Sequence, residues 1–421
     1  MISYTLALEM LLAEAALLPA QSCRLGEAAG RVLSTAIISE IDLPSFDHAA
    51  MDGYALSTKT SVEAGSEHHV YGSQAAGDHA AIDVTQRGGV RACEIMTGAR
   101  LPAGLDAVVA VERTECLAAH ADGAPARIRL LDRLVAGENV RYAGSDVARG
   151  ATVLHAGTRI ESGHVMLLAA IGVASIDVVR RPRVAIICTG KELQCDPTQP
   201  LAAGRIHNSN GPYLAAALAA AGASVLSCET VDDTAVTYVD ALQRAVDAGA
   251  DMLISTGAVS MGRYDFVPDT LRQFNARLLF HKVAIRPGKP LLCARLPGGL
   301  LILALPGTPM AVAAGMRFVV TPALLAMSGQ PAETTLRAIL DTPQRVRSGL
   351  RHFLRGHLCQ SVDGQWHATV LPQQQPFRIL PFADADSWIV LSEEVGDCAA
   401  GTLVQVFGLE PGKLPQARPP H

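Results

Sequence analysis

The residues best placed to do chemistry lie between Asp251 and Pro290. Met252 to Ser255 form a short apolar run that stops at Thr256-Gly257. Such a run, bounded by glycine, reads as a buried strand. The loop after it holds Ser260, Gly262 and the carboxylate of Asp265, and Pro268 suits the first turn of a helix. The strand therefore delivers a carboxylate-bearing loop to its own carboxyl end, where open α/β sheets bind ligands. The same device recurs on both sides. Val184 to Cys188 ends in Thr189-Gly190 with Glu192 close behind, and Leu300 to Leu305 ends in Pro306-Gly307-Thr308-Pro309. Lys282, Arg286 and Lys289 bring positive charge to the same region. One glycine after a strand is ordinary turn chemistry. Three such turns, two with a carboxylate and with Pro287-Gly288-Lys289 beside them, predict a ligand site.

A second loop, Asp42 to Gly53, places Asp47, His48 and Asp52 within six positions. It reads either as a metal or polar-ligand loop or as a tight turn capped by its own aspartates. Gly144-Ser145-Asp146 is another carboxylate in a glycine-rich loop.

The elements needed to position these groups follow from periodicity. From Val184 onward strands and helices alternate up to about Leu325, with Asn208-Ser209-Asn210 and Asp232-Asp233-Thr234 as helix caps, which predicts a doubly wound, mostly parallel sheet. No G-x-G-x-x-G opens it, so a nicotinamide cofactor is not expected. Residues from about 57 to 137 alternate short β-like runs with glycine turns, and the chain after Leu336 does the same. These predict a small β-rich domain and a terminal β domain of barrel type. Leu6 to Leu18 and Ser162 to Ile171 read as helices, the latter capped by Ser162, and Arg180 to Arg183 as a polar linker.

Bulk properties set limits. The chain of 421 residues is long enough for two to four domains, and its 49% apolar content allows sizeable cores. A net charge of −5 without a basic stripe argues against nucleic acid as a partner. The nine cysteines lack Cys-x-x-Cys spacing and read as reduced core residues of a cytoplasmic protein. The amino-terminal apolar stretch carries Glu9 and Glu14, so it reads as an amphipathic helix rather than a signal peptide. No apolar run reads as long enough to span a membrane.

Taken together, the residues resemble the molybdopterin molybdenumtransferase family, which includes the E domain of gephyrin. Leu43-Pro44, Phe46-Asp47 and Ala50-Met51-Asp52-Gly53-Tyr54-Ala55 carry its most specific signature. Thr97-Gly98, Gly137-Glu138-Asn139, Asp146, Thr189-Gly190-x-Glu192-Leu193 and Ser209-Asn210 follow in order. So do Gly257-x-Val259-Ser260-x-Gly262-x-x-Asp265, Pro287-Gly288-Lys289-Pro290 and Leu305-Pro306-Gly307-x-Pro309. The resemblance implies an elongated domain (residues 1–40 with 138–179), a β-rich domain (41–137), an α/β molybdopterin-binding domain (180–330) and a carboxy-terminal β-barrel (331–421). It implies a homodimer that converts adenylylated molybdopterin and molybdate to molybdenum cofactor and AMP with magnesium. Asp52, Glu192 and Asp265 are then the expected catalytic residues and metal ligands. Thr97, Asp146, Thr189, Gly190, Ser209, Asn210, Gly257, Ser260, Gly262, Lys282, Arg286, Lys289, Pro306, Gly307 and Pro309 are the expected substrate contacts. The chain departs from the family pattern at Lys191, Ala258, Arg263 and Thr308, among other positions. The alternative is a non-catalytic or specialised relative that binds molybdopterin, molybdate or a protein partner.

Overall fold

The computed structural model describes residues 1–78, 91–259 and 266–413. Its central unit is a six-stranded sheet in the order Ser224–Val231, Arg183–Thr189, Met252–Thr256, Leu301–Leu305, Leu292–Arg295, Arg277–His281. The first four strands run parallel, Leu292–Arg295 runs against them, and Arg277–His281, antiparallel to Leu292–Arg295, closes the edge. The three strands singled out by their turns are therefore immediate neighbours. Cys188 pairs with Thr256, and Thr256 with Leu305, so all three end at one rim. All five residues of both Met252–Thr256 and Leu301–Leu305 are buried, as expected for strands covered by helices on both faces.

The helix after the last parallel strand runs continuously over Pro309–Met327, with a π turn at Met316–Val320. Its 19 residues and mean hydropathy of 1.7 would suffice to cross a membrane by length and composition, contrary to the sequence expectation. Within the molecule 83% of its apolar window is buried, because it is the core helix of the α/β unit.

The amino-terminal helix Tyr4–Glu14 is shorter than expected and buries Tyr4, Ala7 and Leu11 in that same α/β core. The chain then crosses to a separate core, in which Cys23, Ala28 and Leu33 meet Leu154, Leu168 and Val178. Ala20–Arg24 pairs antiparallel with Ser175–Val179 there. The first helix thus packs in a different core from residues 20–40, with which the resemblance groups it. Helix Ser162–Ala170 is capped one residue earlier than expected, by Glu161 in a capping box with His164. The β-rich unit is a sheet in the order Ala107–Ala110, Gly53–Leu56, Arg91–Ile95, Glu67–Gln74, Pro125–Leu130, Thr114–Ala119.

The terminal sheet closes into a five-stranded barrel through pairing of Arg351–Gln360 with Ser387–Leu391. Ile285–Arg286, a strand that belongs in sequence to the α/β unit, adds to this sheet beside Arg351 and His352. One sheet thus spans two domains, and the segment Pro287 to Pro290 that follows lines a cavity together with the barrel. Nothing in local periodicity signals such a pairing across 65 residues of chain.

Candidate active site

The rim where the three turns meet is held at backbone contact. Gly257 has φ +91, and its N–H donates to the Leu305 carbonyl at 3.0 Å. A Cβ on Gly257 would lie 2.5 Å from Thr189 Oγ1 and 2.8 Å from the Thr189 carbonyl oxygen. A Cβ on Gly307 would lie 3.5 Å from Gly257 Cα. Thr189, 6% exposed, donates its hydroxyl to the Thr256 carbonyl at 3.0 Å. Asn210 Nδ2 donates to the Gly307 carbonyl at 2.8 Å and ties the start of helix Asn210–Ala220 to the third turn. The expected cap of that helix is real but resides in Asn208, whose Oδ1 accepts from Gly211 N at 3.0 Å. Ser209 makes no side-chain cap bond. Ala258 follows at φ +49, a left-handed conformation that favours glycine.

These groups enclose a cavity of about 450 Å³ whose walls include Thr189, Glu192, Ser209, Asn210, Gly257 and Pro309. Asp233, expected as a helix cap, is in that wall instead, because Thr234 supplies the cap through its hydroxyl. Ala258, Gly307 and Thr308 belong also to a second cavity of about 760 Å³, so the two are contiguous. The second chamber is cationic. Arg286 and Lys289 come from the α/β unit, Arg345, Arg347 and His352 from the barrel, and among the described residues no carboxylate lines it. Burial holds His352 below its ordinary range; the Arg347 carbonyl opposes this and Arg286 adds to it. Pro306 also lines this chamber, and the Pro376 carbonyl accepts from Met310 N at 2.9 Å, seating the barrel on the start of the core helix. The barrel arginines carried no sequence signal, since they lie far along the chain and outside any motif.

The remaining expected residues fall elsewhere. Gly190 is at the rim, where a Cβ would meet Glu192 Oε1 at 2.8 Å, but it lines neither chamber. Lys282 is half-buried at φ +70, with its carbonyl accepting from Ile2 N, and is outside both linings. Asp52 belongs to the β-rich unit, where it accepts from Thr97 N at 2.7 Å and Thr97 Oγ1 at 2.8 Å. These bonds, the backbone one first, hold its carboxyl below the usual range. Asp47 accepts from Ala143 N at 2.7 Å, so both aspartates of the signature loop bond to distant segments and neither caps its own turn. Asp146 is exposed in its loop. Ser260, Gly262, Arg263 and Asp265 lie outside the described residues. Among the described residues no three His, Cys, Asp or Glu side chains form a group that could hold a metal ion. Of the nine cysteines, all free, Cys116, Cys195 and Cys228 are exposed rather than in the core.

Comparison with known proteins matches this architecture in three consecutive segments. Residues 2–172 match the MoeA N-terminal region (domain I and II), 185–326 a probable molybdopterin binding domain, and 337–409 the MoeA C-terminal region (domain IV). The molybdopterin molybdenumtransferase of Synechococcus elongatus is 34% identical over 97% of this chain and 100% of its own length. The chain belongs to the molybdopterin molybdenumtransferase family. A second relative, molybdopterin molybdenumtransferase 2 of Mycobacterium tuberculosis, is 34% identical over 91% of the chain and 94% of that protein. The crystal structure of the molybdopterin biosynthesis MoeA protein from Pyrococcus horikoshii superposes with a TM-score of 0.81 at 26% identity, covering 97% of this chain and 99% of that one. Family membership places the chain in molybdenum cofactor biosynthesis.

Proposed function

We propose that this protein is a molybdenum insertase: it takes adenylylated molybdopterin and molybdate, cleaves the phosphoanhydride, and releases molybdenum cofactor and AMP. The observation that carries the reading is the contiguity of two chambers, one walled by three strand-end turns and the other lined by Arg286, Lys289, Arg345 and Arg347. Gly257 and Gly307 let the three turns close to backbone contact, which lines the first chamber with main-chain groups suited to a pterin phosphate. Lys289, Arg286 and the barrel arginines supply charge-assisted donors to phosphate or molybdate oxygens. Glu192 and Asp233 face the first chamber and orient groups at its mouth.

Magnesium is part of the reading. It takes one or two carboxylates and completes its shell with water and substrate phosphate, so it needs no preformed group of three protein ligands. Glu192 and Asp233 fit that requirement, and Asp265 is the further candidate from the signature. Bound magnesium would polarise the phosphoanhydride as a Lewis acid.

Asp52 lines neither chamber of its own chain. The reading therefore includes a homodimer in the cytoplasm, in which the Asp52 loop of one subunit meets the α/β unit of the other. The direct test is incubation with adenylylated molybdopterin, molybdate and magnesium, following AMP. No AMP release above background overturns the reading and leaves a binding protein. The shared site is tested by co-refolding Asp52→Asn with Asp265→Asn, each inactive alone. A two-fold dimer then regains activity in about a quarter of its sites. No recovery, with mixed dimers demonstrated, places each site within one subunit.

A further inference from the structure

A third cavity, of about 440 Å³, lies away from the candidate site and shares no lining residue with it. Its walls come from both crossings of the chain between domains. Arg180 and Arg181 belong to the linker that enters the α/β unit, and Gln330 and Glu333 to the linker that leaves it for the barrel. The elongated domain contributes Arg31, Arg159 and Glu161.

The charges do not cancel. Arg180 is matched by Asp251, with bonds of 2.7 and 2.8 Å, and Glu333 by the buried Arg317 at 2.7 Å. Glu161 is occupied in capping its helix. Among the described residues neither Arg159 nor Arg181 has a carboxylate partner. Arg31 donates to the Val179 carbonyl at 3.2 Å and to no carboxylate. Burial holds its guanidinium below the usual arginine range, Cys23 opposes this, and the like charge of Arg181, which lines the same cavity, adds to it. The Arg159 guanidinium passes between two glycines, reaching within 4.0 Å of where a Cβ on Gly30 would stand and 3.8 Å of one on Gly412.

A bland role for these arginines would be to cap the two helices that end at the cavity, Asn210–Ala220 and Thr321–Met327. Both ends are already closed. Ala223 N donates to Leu218 O and Gly222 N to Ala219 O; Gln330 N donates to Leu325 O and Gly329 N to Ala326 O. With Gly222 and Gly329 at positive φ, each is a Schellman closure that satisfies the last carbonyls.

We infer that this interdomain cavity is a second anion site, which takes a small phosphate-bearing ligand on Arg31, Arg159 and Arg181. A carboxylate offers two oxygens and saturates one guanidinium fork, whereas a phosphate has oxygens for two forks at once. A ligand held there touches both linkers and so ties the α/β unit to the elongated domain.

Pyrophosphate is the probe, titrated calorimetrically into the full chain carrying Arg286→Ala and Lys289→Ala, which removes cations of the candidate site. One binding event per chain is expected. Adding Arg159→Ala and Arg181→Ala should weaken it about tenfold or more, the effect of losing hydrogen bonds to a charged group. Arg159→Lys with Arg181→Lys keeps the charge and the fold but not the forks, and should fall between the two. Should the alanine variant not fold, this lysine pair decides alone. Absence of pyrophosphate binding in the first background, or affinity unchanged on loss of both forks, overturns the site. Malonate binding as tightly as pyrophosphate overturns its assignment to phosphate.

Discussion

Replacing Gly257 by alanine tests whether the rim depends on backbone contact. The new methyl would sit 2.5 Å from Thr189 Oγ1 and 2.8 Å from the Thr189 carbonyl oxygen. The hydroxyl could rotate, but the carbonyl belongs to a strand paired on both sides. Overpacking of this kind costs about 1–3 kcal/mol. The φ of +91 adds left-handed strain of about 1–2 kcal/mol for any residue with a Cβ. A central expectation of about 3 kcal/mol corresponds to a melting shift of roughly 6–12 °C for a unit of this size. Gly307→Ala is the internal control. Its methyl would meet only Gly257 Cα, at an ordinary 3.5 Å, and Gly307 is not at positive φ. The reduced freedom of its unfolded chain offsets small strain by about 0.4–1 kcal/mol, so it should melt within about 3 °C of wild type. Scanning calorimetry of both variants in one buffer reads the contrast. Equal shifts, or none for Gly257→Ala, would refute the argument that the three turns meet at contact distance.

Three further outcomes are expected. Lys289→Ala should raise KM while leaving kcat nearly unchanged, since a cation facing a phosphate contributes mainly uniform binding; a fall in kcat at constant KM contradicts this. Asp251→Asn should destabilise by about 3 kcal/mol, because it leaves Arg180 half-buried without its bidentate partner, and denaturant unfolding would measure it. Burial alone would raise the Asp251 carboxyl, but the bonds from Arg180 and Arg183 N hold it low. Its stabilisation is therefore present above the ordinary aspartate range and disappears as pH falls through its lowered native value. The Thr97 amide resonance should likewise hold its position through about pH 4, where an unperturbed aspartate titrates, and move only below it, since Thr97 keeps Asp52 ionised.

The sequence by itself determined the three site strands and where each of them ends. Apolar runs closing on Thr189-Gly190, Thr256-Gly257 and Pro306-Gly307 identified three strands and their turns, because burial of a strand and the tight turn after it are local demands. Alternation of strand and helix then implied a parallel sheet, and the signature loops gave the family. The tertiary structure alone decided which turns touch. It put the three strands side by side, where Gly257 leaves no room for a methyl against Thr189. It also moved Tyr4–Glu14 into the α/β core, since a helix buries its apolar face wherever a matching one exists. Finally, it brought Arg345 and Arg347 against Arg286 by extending the barrel sheet with Ile285–Arg286. Strand pairing is a contact between backbones, which carry no side-chain code for a partner so far along the chain. The cationic wall of the candidate site was therefore invisible until the chain was folded.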